Sequence, residues 1–162
     1  MKYRAVVVTI SDKGSKGERQ DTSGPRLREM LERNYDVGEV LIVPDEIDLI
    51  AETIRTQIDQ QGFDLVVTTG GTGVGPRDVT PEATRGVIEK DLPGFSEAMR
   101  MESYRITPFA LISRAICGIR GQSIIINLPG SPKAAAECLA FVYDALPHAL
   151  EKVKGDPSEC AQ

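Results

Sequence analysis

The sequence of 162 residues contains no tryptophan, one histidine and three cysteines. The cysteines, Cys117, Cys138 and Cys160, form no CxxC pair and have no histidine at ligand spacing, so we predict neither a disulfide framework nor a zinc site. The histidine, His148, stands beside Pro147, and no serine and acid can be combined with it into a hydrolase triad. These shortages argue against thiol, zinc and Ser-His-Asp chemistry.

Long hydrophobic runs and an excess of positive charge are also missing. No apolar run approaches the ~20 residues of a membrane span, and the run after Met1 is too short for a signal-peptide core. We therefore expect a cytoplasmic protein that does not enter a membrane. Because 19 Lys and Arg stand against 24 Asp and Glu, and nucleic-acid binding requires clustered basic residues, we expect no nucleic-acid partner.

The composition is that of a globular domain, with 41% hydrophobic and 27% charged residues. At this length one domain can bury roughly 70% of the surface of its unfolded chain. We predict one compact domain over residues 1–155 and a flexible tail over 156–162. Short runs rich in β-branched residues predict buried parallel strands over 3–10, 39–46, 64–71 and 122–130.

Helical patterns alternate with these runs. Apolar residues that recur every three or four positions predict helices over 24–34, 47–62 and 131–146, with a further helix near 94–104. Pro147 is expected to end or kink the last helix near Leu146. The alternation predicts an α/β fold, a three-layer sandwich whose mostly parallel central sheet is flanked by helices.

Two predicted strands end in a glycine-rich turn that leads into Thr-Pro or Ser-Pro. In "TTGGTGVGPRDVTPEAT" (68–84) and "LPGSPK" (128–133) we expect Thr80 and Ser131 to be N-caps, each followed by a proline in the first helical position. Helix N-termini at the carboxyl edge of a parallel sheet attract anions. The alternative is that both are ordinary tight turns feeding helices.

The first of these turns contains four glycines between residues 70 and 75. Successive glycines can adopt positive φ, and we predict that their amides converge around phosphate oxygens. The loop is not a Walker A loop, because Arg77 and Asp78 stand where lysine and serine or threonine would be required. It also lacks the spacing of a dinucleotide-binding fingerprint.

A carboxylate in a phosphate loop indicates a bridging cation. Asp78 could share Mg²⁺ with phosphate oxygens, and Asp45 and Glu46, which end a predicted strand in "VPDE", could supply further ligands. An alternative role for Asp45 and Glu46 is to cap the following helix, and the two roles are compatible. Arg77 and Arg114 are the favoured candidate cations for phosphate, with Lys133 and the loop 11–21 as further sources.

Together these motifs resemble the MogA-type molybdopterin adenylyltransferase family of molybdenum cofactor biosynthesis. The matching stretches are "GGTG", "PRDVTPEAT", "PDE", "PGFSEAMR", "ITPFALISR" and "INLPGSPKAAAECL", and they extend over roughly residues 3 to 155. The resemblance implies a compact α/β fold, a homotrimer, and transfer of AMP from ATP, with Mg²⁺, to the terminal phosphate of molybdopterin with release of pyrophosphate. The product would pass to a separate metal-insertion protein of the same pathway.

The resemblance also assigns site residues. It implies a catalytic and metal-binding role for Asp45 and Asp78, and contact with pterin and phosphate groups for a larger set: Gly70, Gly71, Thr72, Gly73, Ser103, Ser113, Asn127, Pro129, Gly130 and Ser131. Arg77 and Arg114 lie within the matching motifs and join this set as nucleotide-binding residues. Two alternatives remain open at this point: a related protein that binds the pterin or forms a scaffold without catalysis, and a domain of the same shape from an unrelated nucleotide-processing protein.

Overall fold

The computed structural model describes residues 1–160, so the last two residues of the predicted tail lie outside it. Within these residues, seven strands form one sheet in the order β2-β1-β4-β7-β6-β5, and β3 also pairs with β1. The strands are β1 (Arg4–Ile10), β2 (Asp36–Val37), β3 (Leu41–Val43), β4 (Leu65–Thr69), β5 (Lys90–Asp91), β6 (Cys117–Arg120) and β7 (Ser123–Leu128).

The sheet is mostly parallel, as predicted. β1 runs parallel to β2, β3 and β4, and β4 runs parallel to β7, whereas β6 is antiparallel to both β7 and β5. Ala5 pairs with Leu65, and Leu65 with Ile124. The carboxyl ends of β1, β4 and β7 therefore meet at one edge of the sheet, where ligands bind in open α/β folds.

Within residues 1–160, seven α-helices flank the sheet: α1 (Asp12–Ser15), α2 (Ser23–Leu31), α3 (Ile47–Arg55), α4 (Thr80–Arg85), α5 (Pro93–Ile106), α6 (Pro132–Val142) and α7 (Leu146–Val153). A π-helical turn, Thr56–Gln60, extends α3, and 3₁₀ segments cover Pro108–Ile112 and Tyr143–Ala145. The predicted break near Leu146 is confirmed, because Pro147 lies in the first turn of α7 after a 3₁₀ turn. Within residues 1–160 no helix is long and apolar enough to span a membrane.

Alternate residues of the central strands face opposite layers of helices. Val7, Val67 and Ile126 belong to one buried cluster with the apolar side chains of α2, α6 and α7. Val66 and Ile125 belong to a second cluster with those of α3 and α4. Because both faces of the strands are covered, the runs of β-branched residues in the sequence are continuous rather than alternating.

The edge strand differs from the prediction. Instead of a strand over 39–46, two short strands, β2 and β3, pair with the beginning and the end of β1. Between them Gly38 passes so close to Phe63 that a Cβ at this position would lie 2.7 Å from the ring. After β3, Pro44 has no N–H to continue the ladder. The edge is therefore interrupted by local packing.

Candidate functional site

The carboxyl edge of the sheet opens into a cavity of about 420 Å³. It lies beyond the ends of β1 and β4, and its walls carry hydroxyl groups, glycines and carboxylates. We call it the polar cavity, and its lining residues are 9–11, 14, 19–23, 45, 69–71, 78 and 130–132.

A second cavity of about 390 Å³ lies on the other side of the glycine loop. We call it the α5 cavity, because α5, the 3₁₀ segment after it and α6 form most of its wall. Its apolar surface comes from Met99, Ile106, Phe109 and Ile112. Phe109 is 77% exposed, which leaves its ring free to contact a ligand.

The glycine loop, residues 70–79, separates the two cavities. Gly70 and Gly71 adopt positive φ values of 105° and 68°. The prediction of positive φ is wrong for the other two glycines of the loop, Gly73 and Gly75, since neither is among the positive-φ glycines of residues 1–160. At Gly71 a Cβ would collide with Thr80 and approach Asp45 Oδ1 to 3.0 Å, so this position requires glycine for space as well as conformation.

Gly73 and Gly75 serve a different purpose, which is to make room for Asp78. A Cβ on either glycine would lie 2.9 Å from Asp78 Oδ2. The amide of Gly75 donates a hydrogen bond of 2.9 Å to the same oxygen. The carboxylate of Asp78 is therefore folded against its own loop, at the wall of the polar cavity.

Asp45 approaches the loop from the end of β3. Its Oδ2 accepts a hydrogen bond of 2.9 Å from the amide of Asp12, and its own amide donates to Asp12 Oδ1 at 3.1 Å. Burial raises the pKa of Asp45, and the negative charges of Asp12 and Asp78 act in the same direction. The structure thus brings Asp45 and Asp78 to the same cavity and close enough to interact electrostatically.

Arg77 is engaged by carboxylates. Its guanidinium donates to both oxygens of Asp12 at 3.0 Å and to Glu46 Oε1 at 2.8 Å. This pairing raises the pKa of Arg77 and lowers the pKa of Asp12. Glu46 occupies the N-cap position of α3 but makes no side-chain capping bond. Its carboxylate pairs with Arg77 instead.

The two predicted helix caps have different outcomes. Ser131 is the N-cap of α6, and its Oγ accepts from the amide of Ala134 at 3.4 Å, which confirms the prediction. The prediction for Thr80 is wrong, because α4 begins at Thr80 and Val79 is its N-cap residue. Thr80 is fully buried, and its Oγ1 donates to the carbonyl of Gly70 at 2.9 Å. It holds the start of the loop instead of capping the helix.

The amide of Asn127 is committed to the protein interior. Its Nδ2 donates to Thr68 Oγ1 at 2.9 Å and to Thr84 Oγ1 at 3.0 Å, and its Oδ1 accepts from the amide of Ile116 at 3.2 Å. Since Asn127 is fully buried, it fixes the floor of the α5 cavity by tying β4 and β7 to α4.

Ser103, on α5, and Ser113, at the end of the 3₁₀ segment, line the same cavity. Ser103 Oγ lies 3.3 Å from Cys138 Sγ, and Ser113 Oγ accepts from the amide of Ala115 at 3.3 Å. Both hydroxyls border the cavity, where they could also contact a ligand.

The predicted site residues thus divide between two cavities. The polar cavity is lined by Asp45, Gly70, Gly71, Asp78 and Gly130. The α5 cavity is lined by Thr72, Gly73, Ser103, Ser113, Asn127 and Pro129, and Ser131 lines both cavities. Arg77 and Arg114 line neither cavity and border more open depressions of the surface.

Sequence reasoning missed Thr9 in the polar cavity and Met99 and Phe109 in the α5 cavity, whereas Ser11 and Arg19 belong to the loop 11–21, which it named only as a whole. Thr9 and Ser11 could have been found, because they end a predicted strand at the same edge as the glycine loop. Met99 and Phe109 lie within the matching stretches "PGFSEAMR" and "ITPFALISR", but nothing distinguished them from core residues, since apolar residues on a helix are usually core.

These features place the chain among α/β proteins whose site lies at the carboxyl ends of parallel strands. A family model described as "Probable molybdopterin binding domain" matches residues 6–148. The chain belongs to this molybdenum cofactor biosynthesis family.

Named relatives agree with that assignment. The molybdopterin adenylyltransferase of Helicobacter pylori strain J99 is 46% identical over 158 residues, covering 93% of this chain and 87% of that enzyme. The molybdenum cofactor synthesis protein cinnamon of Drosophila melanogaster is 45% identical over 154 residues; this covers 94% of the chain but only 26% of the length of cinnamon.

A solved structure shows the same fold. The molybdopterin biosynthesis enzyme MoaB from Thermus thermophilus superimposes with a TM-score of 0.89 at 47% sequence identity. The alignment covers 97% of this chain and 99% of that chain. The α/β architecture predicted from the sequence is therefore confirmed.

Proposed function

We propose that the protein is a molybdopterin adenylyltransferase that transfers AMP from ATP to the terminal phosphate of molybdopterin and releases pyrophosphate. The observation that carries this proposal is the pair of carboxylates, Asp45 and Asp78, on one side of a glycine loop whose other side walls a second cavity. A related enzyme with this name is 46% identical to the chain over most of its length. Two adjoining cavities suit a reaction that joins two substrates.

The two cavities differ in the ligand chemistry they favour. The polar cavity offers hydroxyls, loop amides and carboxylates, which suits phosphate groups and a metal ion. The α5 cavity combines the ring of Phe109 with hydroxyls of Ser103 and Ser113, which suits a flat heterocycle with polar edges. We assign the triphosphate to the polar cavity and the pterin to the α5 cavity, with the reacting phosphates beside the loop.

The residues of the polar cavity fit Mg²⁺. Mg²⁺ is usually held by one or two carboxylates together with substrate phosphates. Asp21 also lines the cavity, but both of its oxygens accept hydrogen bonds from Thr9 and Gly24. Within residues 1–160, Oδ1 of Asp45 and Oδ1 of Asp78 accept no hydrogen bond, so each has an oxygen to offer. When bound, Mg²⁺ would neutralise negative charge that develops on the phosphates.

Arg19 is the cation that we assign to the phosphates. It lines the polar cavity and forms no ion pair within residues 1–160, whereas Arg77 and Arg114 are each paired with carboxylates. Its position on the loop that follows α1 allows it to approach a bound triphosphate. Arg77 instead holds Asp12, whose amide orients Asp45.

In the proposed reaction an oxygen of the terminal phosphate of molybdopterin attacks the α-phosphorus of ATP. A new P–O bond forms while the bond from the α-phosphorus to the bridging oxygen breaks, and pyrophosphate leaves with that oxygen. No side-chain nucleophile is needed, so the protein acts by holding two anions in line and stabilising their charge. The loop between the cavities is the place where the two phosphates meet.

The test is to incubate the protein with molybdopterin, ATP and Mg²⁺ and to measure pyrophosphate and adenylylated molybdopterin. We expect both products in equal amounts with the wild-type protein. Molybdopterin binding without any pyrophosphate above background would instead indicate the non-catalytic binding protein. A protein that binds nucleotides but does not bind molybdopterin would indicate an unrelated nucleotide-processing domain.

We also propose that the chain acts as a cytoplasmic homotrimer that delivers its product to a metal-insertion protein. Exposed apolar side chains near α5 support an assembly, since Met101, Tyr104 and Leu111 are each more than half exposed. Sedimentation at micromolar concentration should give three times the mass of the chain, and a monomer would contradict the trimer.

A further inference from the structure

Arg114 directly follows residues 107–113, a segment most of whose residues line the α5 cavity. Its amide donates to the carbonyl of Thr72 at 2.8 Å. Its guanidinium donates to the carbonyl of Gly73 at 2.7 Å and to the carbonyl of Asp78 at 2.8 Å. One residue therefore binds three carbonyls of the glycine loop.

The three carbonyls belong to walls of different cavities. Thr72 and Gly73 border the α5 cavity, whereas Asp78 borders the polar cavity. The backbone of Asp78 is held by Arg114, and its carboxylate is held by the amide of Gly75 at 2.9 Å. The orientation of this carboxylate thus depends on a residue that directly follows Ser113, which lines the α5 cavity.

Glu82 on α4 completes the arrangement. Its carboxylate forms an ion pair with Arg114, which lowers the pKa of Glu82 and raises that of Arg114. A guanidinium donates in several directions at fixed angles, and a lysine ammonium at the same position cannot reach all of these partners. The contact requires arginine because of its geometry as well as its charge.

We propose that Arg114 is a positioning residue that couples the two cavities, so that a ligand in the α5 cavity favours the placement of Asp78 that binds a ligand in the polar cavity. The ligands named here rest on the proposed function, but the mechanical link does not. A ligand against Phe109 and Ile112 restrains residues 107–114, and Arg114 transmits this restraint to the loop. By thermodynamic reciprocity, a nucleotide in the polar cavity strengthens binding in the α5 cavity by the same factor.

Arg120 provides a matched control. Its guanidinium also binds one carboxylate, Asp59, at 2.6 and 3.0 Å, and one carbonyl, that of Val87, at 3.0 Å. Arg120 lies on β6 and lines neither cavity. R120Q and R114Q therefore remove similar interactions, and only R114Q should affect the coupling.

The first experiment needs no ligand. We expect hydrogen exchange in R114Q to become faster at the amides of Asp78 in the loop and of Thr80, which bonds to Gly71 of the loop. We expect the same at the amides of Ala110 and Ser113 in the wall of the α5 cavity. These amides form hydrogen bonds within their own segments, so faster exchange reports loosening of each segment. R120Q should leave all four unchanged. Faster exchange confined to one of the two segments would overturn the proposal.

The second experiment is a binding cycle with a methylene analogue of ATP and molybdopterin. In the wild-type protein we expect each ligand to tighten the other by about 5-fold or more, which is the usual lower range of coupling between sites. The factor should fall to near one in R114Q and persist in R120Q. A wild-type factor near one, or an unchanged factor in R114Q, would overturn the proposal.

Two further variants guard against a folding defect. R114K keeps the positive charge but loses the planar guanidinium with its several N–H donors. E82Q removes the negative charge of the partner but keeps a group that can form hydrogen bonds. We expect R114K to lose most of the coupling and E82Q to keep most of it. If the protein binds neither ligand, the proposed function is wrong, and the exchange experiment alone decides the link between the walls.

Discussion

The two cavities on either side of the glycine loop differ in the chemical character of their walls. The polar cavity contains Asp45, Asp78 and Arg19 and is built from strand ends and loops. The α5 cavity has an apolar wall that includes Met99 and Phe109 and is built mainly from helices. One side of the loop is therefore suited to charge and the other to ring surface, so variants on each side should affect different substrates.

The largest expected effect is on catalysis from the polar side. Asp78→Asn removes a charge from the proposed metal site, and we expect kcat to fall by roughly 10²- to 10³-fold, comparable with loss of a preorganised group that stabilises the transition state. The measurement is the rate of pyrophosphate release at saturating ATP and molybdopterin. Molybdopterin affinity should change little.

Asp91→Asn is the matched control for that loss, because Asp91 is exposed on β5 and lines neither cavity. It should keep the wild-type kcat. A wild-type kcat in Asp78→Asn would show that the carboxylate has no part in the chemistry.

The next effect concerns nucleotide binding. Arg19→Ala removes a charge-assisted contact to phosphate, and we expect the KM for ATP to rise by roughly 10- to 100-fold. The KM for molybdopterin, measured at saturating ATP, should stay within about 2-fold, because Arg19 lines only the polar cavity. Lys13→Ala tests whether any positive charge near this loop supports ATP binding, since Lys13 lies on α1 outside the lining of the polar cavity. Equal effects of the two variants would remove the specific role of Arg19.

A smaller effect is expected on the α5 side. Phe109→Ala removes an exposed ring that can stack on a heterocycle, and we expect the Kd for molybdopterin to rise by about 2- to 12-fold. ATP affinity measured in the absence of molybdopterin should not change. Leu111→Ala is the control, because Leu111 is also exposed on the same 3₁₀ segment but does not line the cavity. If both variants weaken binding alike, the ring has no specific contact.

The smallest effect is on stability. Burial raises the pKa of Asp45, so ionisation of this group opposes folding at neutral pH. Asp45→Asn should therefore raise Tm at pH 7, on the order of 1–3 °C, while it lowers activity. The difference should shrink as the pH falls through the raised pKa, because the wild-type carboxyl then becomes neutral as well. A difference that grows toward acid pH would contradict the direction of this pKa shift.

Much of the fold could be predicted because the central strands carry their own pattern. The runs around Val67 and Ile126 are continuous in apolar residues only because helices cover both faces of the sheet. The interrupted edge could not be predicted, since it depends on the approach of Phe63 to Gly38. A short strand before the last one was among the possibilities for the stretch after 104, but its antiparallel pairing with β7 could not be predicted, because four residues of β6 carry no sign of direction.

In the candidate site, too, features set by local sequence could be predicted and features set by tertiary contacts could not. The positions of Asp45, Gly70 and Gly71 could be predicted because they closely follow the ends of β3 and β4. Asp78 lies in the same glycine-rich loop, which returns it to the polar cavity. The partners of Arg77 and Arg114 could not be predicted, since Asp12 and Glu82 meet them only through the tertiary arrangement. For the same reason Thr80 resembled an N-cap in sequence, whereas its hydroxyl binds the carbonyl of Gly70.

The pairing of β1 with β4 and of β4 with β7 has a consequence for how the protein is made. Ala5 pairs with Leu65, which pairs with Ile124. β1 and β4 therefore cannot pair fully until about 60 further residues have been synthesised. Such non-local pairing slows folding and leaves apolar strands uncovered on the nascent chain. We expect ribosome-bound chains that end before residue 123 to bind chaperones and to lack both cavities, since β7 completes the centre of the sheet.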